Sequence, residues 1–110
     1  MVQYSVLDVS FAALSDPTRR GILHQLGRGR ATVSELAERF EMTLTGIKKH
    51  LQLLEQAELV VTEKRGRTRY CELSTNSLDR ERAWIDAYRV MVNDRMDRLE
   101  QFLNQTEKQS

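Results

Sequence analysis

At 110 residues the chain is about the size of one domain, with room for a modest core and little for a second one. Apolar residues make up 40% and charged residues 30%, and no apolar run approaches the roughly 18 residues of a membrane span, which places the chain among soluble globular proteins. The net charge of +1 excludes a protein that coats nucleic acid through diffuse charge alone. The N-terminus lacks the charged-then-apolar layout of a secretory signal, and the single cysteine, Cys71, forms no internal disulfide; both point to the cytoplasm and its reducing conditions.

Val6, Val9, Phe11, Ala12 and Leu14 predict a short first helix that ends near Ser15-Asp16-Pro17. Asp16 is placed to cap the next helix and Pro17 to occupy its first position, where a missing N–H costs nothing. That second helix carries Ile22, Leu23 and Leu26 toward a core and is broken by Gly27-Arg28-Gly29-Arg30. Thr32 followed by Glu35 is a capping-box pattern for a third helix with Val33, Leu36, Ala37 and Phe40 as its buried stripe. Only Glu41-Met42 separate it from a fourth helix, capped by Thr43.

A gap that short forces the two helices to cross, and a crossed pair whose second helix is basic on its outward face is the device that presents a helix to the DNA major groove. On the fourth helix Leu44, Ile47, Leu51 and Leu54 follow the spacing of one buried face, with Leu53 outside it and expected against the following hairpin. Thr45, Lys49 and Gln52 point away from that face and Lys48 lies at its edge, a surface suited to phosphates and base edges. Residues 60–70 then predict two strands around a turn at Gly66, where Lys64, Arg65, Arg67 and Arg69 crowd the tip. Mutual repulsion there favours an anionic partner. The charge distribution agrees: residues 1–42 balance at 0, residues 43–70 carry +3 and residues 71–110 carry −2.

From Leu78 to about Thr106 there is no Gly or Pro, and apolar residues from Trp84 to Leu103 recur at spacings of three and four. Asn76 or Ser77 is the expected cap, and Glu107 to Ser110 reads as a frayed tail. A helix of about 28 residues is roughly 42 Å long, more than the roughly 30 Å width of such a domain. Leu99, Phe102 and Leu103 near its end therefore call for a second copy of the chain. The expected fold is mainly α with a small β-hairpin: one winged helix-turn-helix domain over 1–110, with N-terminal helices at 1–30, the helix-turn-helix at 31–57, the wing at 58–74 and a long C-terminal dimerisation helix at 76–107.

Taken together, the segments Leu14 to Leu23, Val33 to Ala37, His50 to Leu54 and Ala57 to Val60 resemble the ArsR family of bacterial winged-helix repressors along nearly the whole chain. The resemblance implies a homodimer built from the first and last helices, with Phe11, Trp84, Tyr88, Val92, Met96, Leu99, Phe102 and Leu103 at its interface. It also implies DNA contacts from Thr43, Thr45, Lys48, Lys49 and Gln52 in the major groove and from Lys64, Arg65, Arg67 and Arg69 alongside. Metal-sensing members carry Cys-Val-Cys where this chain has Thr32-Val33-Ser34, and the last helix holds Asp86, Asp94, Asp97 and Glu100 but no His. No metal and no cofactor is therefore expected. Lys48 stands where the family more often has Ser, so the operator is not transferable from better-known relatives.

The functional expectation is a sequence-specific, homodimeric repressor of an inverted-repeat operator in double-stranded DNA, whose release would require a ligand or partner, a possible inducer that the sequence does not identify, with different affinities for its two conformations. Two rival readings are a small-molecule sensor with a pocket at the dimer seam near Trp84, Tyr88 and Met91, and a protein-interaction module that does not bind DNA. His24 has no Cys or second His near it for a metal site, His50 as an edge residue of its helix is expected to pack or to hydrogen-bond a phosphate, and Cys71 reads as a small packed side chain rather than a redox sensor. No phosphate loop, metal cluster or nucleophile with an assignable base is present, so an enzyme is not expected.

Overall fold

The structure is a computed structural model that describes residues 5–108. Its elements are α1 (Val6–Leu14), α2 (Pro17–Leu26), β1 (Ala31–Thr32), α3 (Val33–Arg39), α4 (Leu44–Gln56), β2 (Val60–Arg65), β3 (Thr68–Leu73) and α5 (Asp79–Lys108). They fall into two units, one ending at Leu78 and the other beginning at Asp79. Among the described residues no helix is long and apolar enough to cross a membrane.

Local chemistry sets most helix ends in the first unit. Ser5 and Asp8 form a reciprocal capping box at the start of α1. Asp16 accepts from the Arg19 N–H with Pro17 in the first helical position of α2, as the sequence predicts. Helix α1 has no basic residue in its own last turn, and its terminal carbonyls are served from α2 instead. Arg19 Nε donates to Ala13 O at 2.8 Å, and Arg20 Nη1 donates to Leu14 O at 2.7 Å. These charge-assisted bonds fix the α1–α2 corner.

The crossing of α3 and α4 comes from a turn that reverses direction through one left-handed residue. Glu41 has φ 54°, and the Met42 N–H reaches Ala37 O at 2.9 Å, the long bond of a Schellman motif. The same device ends α4, where Glu58 has φ 60° and the Leu59 N–H reaches Leu54 O at 3.0 Å. Both places usually belong to glycine, and here glutamates hold them.

The core gathers Ile22 from α2, Leu36 from α3, Ile47, Leu51 and Leu54 from α4, Leu59 just before β2, and Val60 and Cys71 from the sheet. Phe40 is only half-buried and packs on α2, where a Cβ at Gly21 would lie 2.9 Å from its ring. Two expectations for α4 need correction. Leu44 is 49% exposed, because it sits in the first turn about 60° round the helix from Ile47. Leu53 does not meet the hairpin; it is partly exposed beside Val9, Phe11 and Ala12 of α1.

The sheet has three strands in the order β1-β3-β2, all antiparallel, one more than the hairpin that the sequence predicts. Strand β1 pairs Ala31 with Cys71 and Thr32 with Tyr70, and the Arg30 guanidinium lies 4.8 Å from the centre of the Tyr70 ring. Two residues are too few for an alternating pattern to register in the sequence.

Helix α5 starts at Asp79, directly after Leu78 at φ 71°. The expected cap Ser77 instead donates its hydroxyl to Leu59 O at 3.1 Å. The helix continues through Lys108, past the start of the expected frayed tail, whose last two residues lie outside the described range. Over its 30 residues the large apolar side chains stay open, with Leu99 at 51% and Phe102 at 63% exposed.

Replacing Glu41 or Glu58 by glycine removes the steric penalty of the left-handed conformation while loosening the unfolded chain. Each variant should gain about 0.5–1 kcal/mol in urea unfolding; a loss at either position would show that the glutamate side chain contributes more than its backbone costs.

Candidate nucleic-acid interface

Helix α4 is a 13-residue segment, too short to be stable alone, and its Gly46 weakens it further. Burial of Ile47, Leu51 and Leu54 at 2% exposure or less stabilises it by an upper figure of roughly 5–9 kcal/mol. Packing therefore decides both that the helix forms and which way it faces. With Ile47 inward, Thr45 and Lys49 point almost directly outward, and all of Thr43, Thr45, Lys48, Lys49 and Gln52 are exposed.

The two flanks of that outward face differ. On one side Lys48, Gln52 and Glu55 meet Arg69 of the wing around a cleft of about 280 Å³. The structure thus brings together three of the expected contact residues from two separate elements. It adds a carboxylate, Glu55, that the sequence reading passed over, although it lies one helical turn from Leu51 on the wing side.

On the other flank His50 leaves the solvent face. Its Nδ1 lies 3.3 Å from Arg19 Nη1 and 3.9 Å from Asp16 Oδ2. The Arg19 N–H hydrogen bond, reinforced by the nearby Arg19 charge, holds the Asp16 carboxyl below its usual range despite partial desolvation. No local sequence signal reveals this contact, because 31 residues separate Arg19 from His50.

Within the wing, Gly66 and Arg67 form a two-residue turn between the paired Arg65 and Thr68. Gly66 has φ 64° and Arg67 is not among the positive-φ residues, the sign pattern of a type II′ hairpin. Lys64 stands directly opposite Arg69, a like-charge pair that disfavours the bare hairpin. Two of the four cations have local partners. Arg65 forks onto Glu63 with contacts of 3.3 Å, both side chains being well exposed, and Arg69 Nη1 donates to Thr62 Oγ1 at 3.0 Å. Lys48, Lys49, Lys64 and Arg67 form no ion pair among the described residues.

The segment Thr32-Val33-Ser34 carries no thiolate. Thr32 Oγ1 accepts from the Glu35 N–H to cap α3, and Val33 is buried. On α5 Asp86 pairs with Arg82 at 3.6 Å, and among the described residues no three His, Cys, Asp or Glu side chains converge. Trp84 and Tyr88 stack on each other with ring centres 5.6 Å apart and planes within 5°.

A crossed helix pair, an outward polar and basic helix face, and a cationic hairpin at its flank define a winged helix-turn-helix DNA-binding protein. A family described as a helix-turn-helix domain matches residues 14–63. The transcriptional repressor SdpR of Bacillus subtilis is 39% identical over 75 residues, covering 68% of this chain and 83% of that one. The HTH-type transcriptional regulator Rv2034 of Mycobacterium tuberculosis is 32% identical over 88 residues, covering 80% and 82%. The crystal structure of an ArsR family transcriptional regulator, RHA00566, superposes with a TM-score of 0.76 at 40% identity, covering 84% of this chain and 97% of that one. The chain belongs to the ArsR family of winged helix-turn-helix transcriptional regulators.

Cys71, on the central strand, is fully buried, and burial with the nearby Glu55 carboxylate pushes its thiol up to about 11 against the opposing pull of Arg69. At pH 8 only about one thiol in a thousand is then ionised. A thiol reagent should leave the native protein unlabelled and react fully after urea unfolding; rapid labelling without urea would reopen a redox role.

Proposed function

We propose that the protein is a homodimeric repressor that binds an inverted-repeat operator, reading bases with α4 and gripping phosphates with the wing. The observation that carries this reading is the outward face of α4, where Thr45, Lys48, Lys49 and Gln52 lie in solvent and Lys48 and Gln52 share a cleft with Arg69. Lys49 and Gln52 are the base readers, and Thr43 and Thr45 approach the sugar-phosphate backbone with the first turn of the helix. Lys64, Arg65, Arg67 and Arg69 contact phosphate. Repression follows from occupying promoter DNA that polymerase needs. The donor set at positions 32–34 supports a regulator whose release does not pass through thiolate-bound metal.

In a symmetric dimer the two reading helices stand about one helical turn of DNA apart, roughly 34–36 Å, so the half-sites fall in successive major grooves. The open apolar positions of α5, including Val92, Met96, Leu99, Phe102 and Leu103, support its role as the dimerisation element of a chain that works as one winged helix-turn-helix domain. Phe11 on α1, with Trp84 and Tyr88, completes the proposed seam.

Selection of bound duplexes from a random pool, followed by anisotropy at several salt concentrations, tests the DNA reading. A two-fold symmetric sequence should be enriched. Lys49→Ala and Gln52→Ala should alter sequence preference, whereas Arg67→Ala should weaken binding to every sequence and lower the salt slope by about one. Arg65→Ala should do less, because Glu63 already neutralises part of that charge. Unchanged binding in all four variants would overturn the docking geometry. Light scattering tests the assembly: the wild type should be a dimer, and Leu99→Glu with Phe102→Glu should yield a folded monomer; a monomeric wild type would refute the seam.

A further inference from the structure

The Arg19–His50 contact lies outside the outward face of α4 and outside the wing, yet it joins the reading helix to the α1–α2 corner. All three guanidinium nitrogens of Arg19 are engaged. Nε donates to Ala13 O at 2.8 Å, Nη2 to Ala12 O at 3.4 Å, and Nη1 faces His50 Nδ1 at 3.3 Å. Arginine has no acceptor, so a hydrogen bond at this contact uses the lone pair of His50 Nδ1, which the ring offers in the tautomer that carries its proton on Nε2. Asp16, whose Oδ2 accepts from the Arg19 N–H at 3.0 Å, fixes the backbone from which the guanidinium extends.

A second tie joins α4 to α1 at its C-terminal end. The fully buried Ser10 hydroxyl contacts Val6 O at 2.9 Å and Ala57 O at 3.2 Å. His50 and Ala57 are seven residues apart, about 10 Å along the axis. One anchor would leave a helix free to swing about it, whereas two fix its direction. Between them Leu53 lines an open cleft with Val9, Phe11 and Ala12, which leaves the angle between the helices to the two anchors.

We propose that Arg19 and His50 are positioning residues for DNA recognition: the shared guanidinium holds the angle at which α4 presents Lys49 and Gln52. The role rests on the reading of α4 as the DNA-contacting helix. Base readout depends on hydrogen bonds that are lost when donor and acceptor part by a few tenths of an ångström, while phosphate contacts by long cationic side chains tolerate such shifts. Loss of the tie therefore lowers specific binding and leaves nonspecific binding alone.

The test compares wild type, His50→Ala, His50→Gln and Arg19→Lys on the duplex selected by the wild type and on an unrelated duplex of equal length. Urea unfolding of each variant establishes that it is folded at the assay temperature. His50→Ala should bind the selected duplex about tenfold more weakly, with unchanged salt slope and unchanged affinity for the unrelated duplex. His50→Gln, whose amide oxygen accepts from Arg19, should recover wild-type affinity. Arg19→Lys keeps the charge but offers a single nitrogen to three partners, and should match His50→Ala. The proposal is overturned if His50→Ala binds like the wild type, or if His50→Gln fails to rescue. A lowered salt slope in both His50 variants would assign His50 to phosphate instead. A wild type that prefers no duplex would overturn the reading of α4 and this role with it, whereas a discriminating wild type matched by His50→Ala would overturn the role alone.

Discussion

Everything about this molecule's relation to DNA depends on one packing constraint, the burial of the Ile47, Leu51 and Leu54 face of α4. A 13-residue helix with an internal glycine has little stability of its own, so the core that receives those three side chains supplies the reason it exists. The same burial fixes its rotation. Once Ile47 points inward, the positions of Thr45, Lys48, Lys49 and Gln52 in solvent follow from 100° per residue.

Rotation alone does not aim a helix, and its ends and flanks do the rest. The Schellman turns at Glu41 and Glu58 set where the chain enters and leaves α4, and each does so with a residue that the left-handed conformation disfavours. On the wing side, Arg69 reaches the cleft beside Lys48 and Gln52 from a strand that also anchors Cys71 in the core. The cationic hairpin is thereby attached to the same core as the helix it flanks. On the opposite side, Ser10 and Arg19 tie α4 to α1.

Electrostatics within the wing are arranged unevenly. Lys64 opposite Arg69 weakens the free hairpin, while the Glu63–Arg65 fork and the Arg69–Thr62 bond relieve part of the strain without burying charge. Lys64 and Arg67, without ion-pair partners among the described residues, concentrate the unbalanced charge near the tip. Fixed charge of that kind acts through counterion release, which makes affinity sensitive to salt while carrying no sequence information.

Much of the fold was legible from local chemistry. Asp16-Pro17, Thr32 and Thr43 mark helix starts because capping is a bond between neighbours, and the spacing of Ile47, Leu51 and Leu54 marks a buried face because 3.6-residue periodicity is written along the chain. The same locality explains the errors. Leu44 fits the periodic stripe but lies where the core has ended, and Leu53 breaks the stripe because its neighbour is α1 rather than the hairpin. Strand β1 is too short to leave a pattern, and Ser77 turns its hydroxyl to a carbonyl 18 residues away instead of capping α5. The sequence by itself determined the order of helices, the winged helix-turn-helix class and the polar stripe of Thr45, Lys48, Lys49 and Gln52 along α4, since each follows from capping, turn and periodicity signals written along the chain. The tertiary structure alone decided that Arg69 joins Lys48 and Gln52, that Arg19 reaches His50, and that Cys71 is sealed in the core, because these depend on which surfaces meet when distant segments exclude water together.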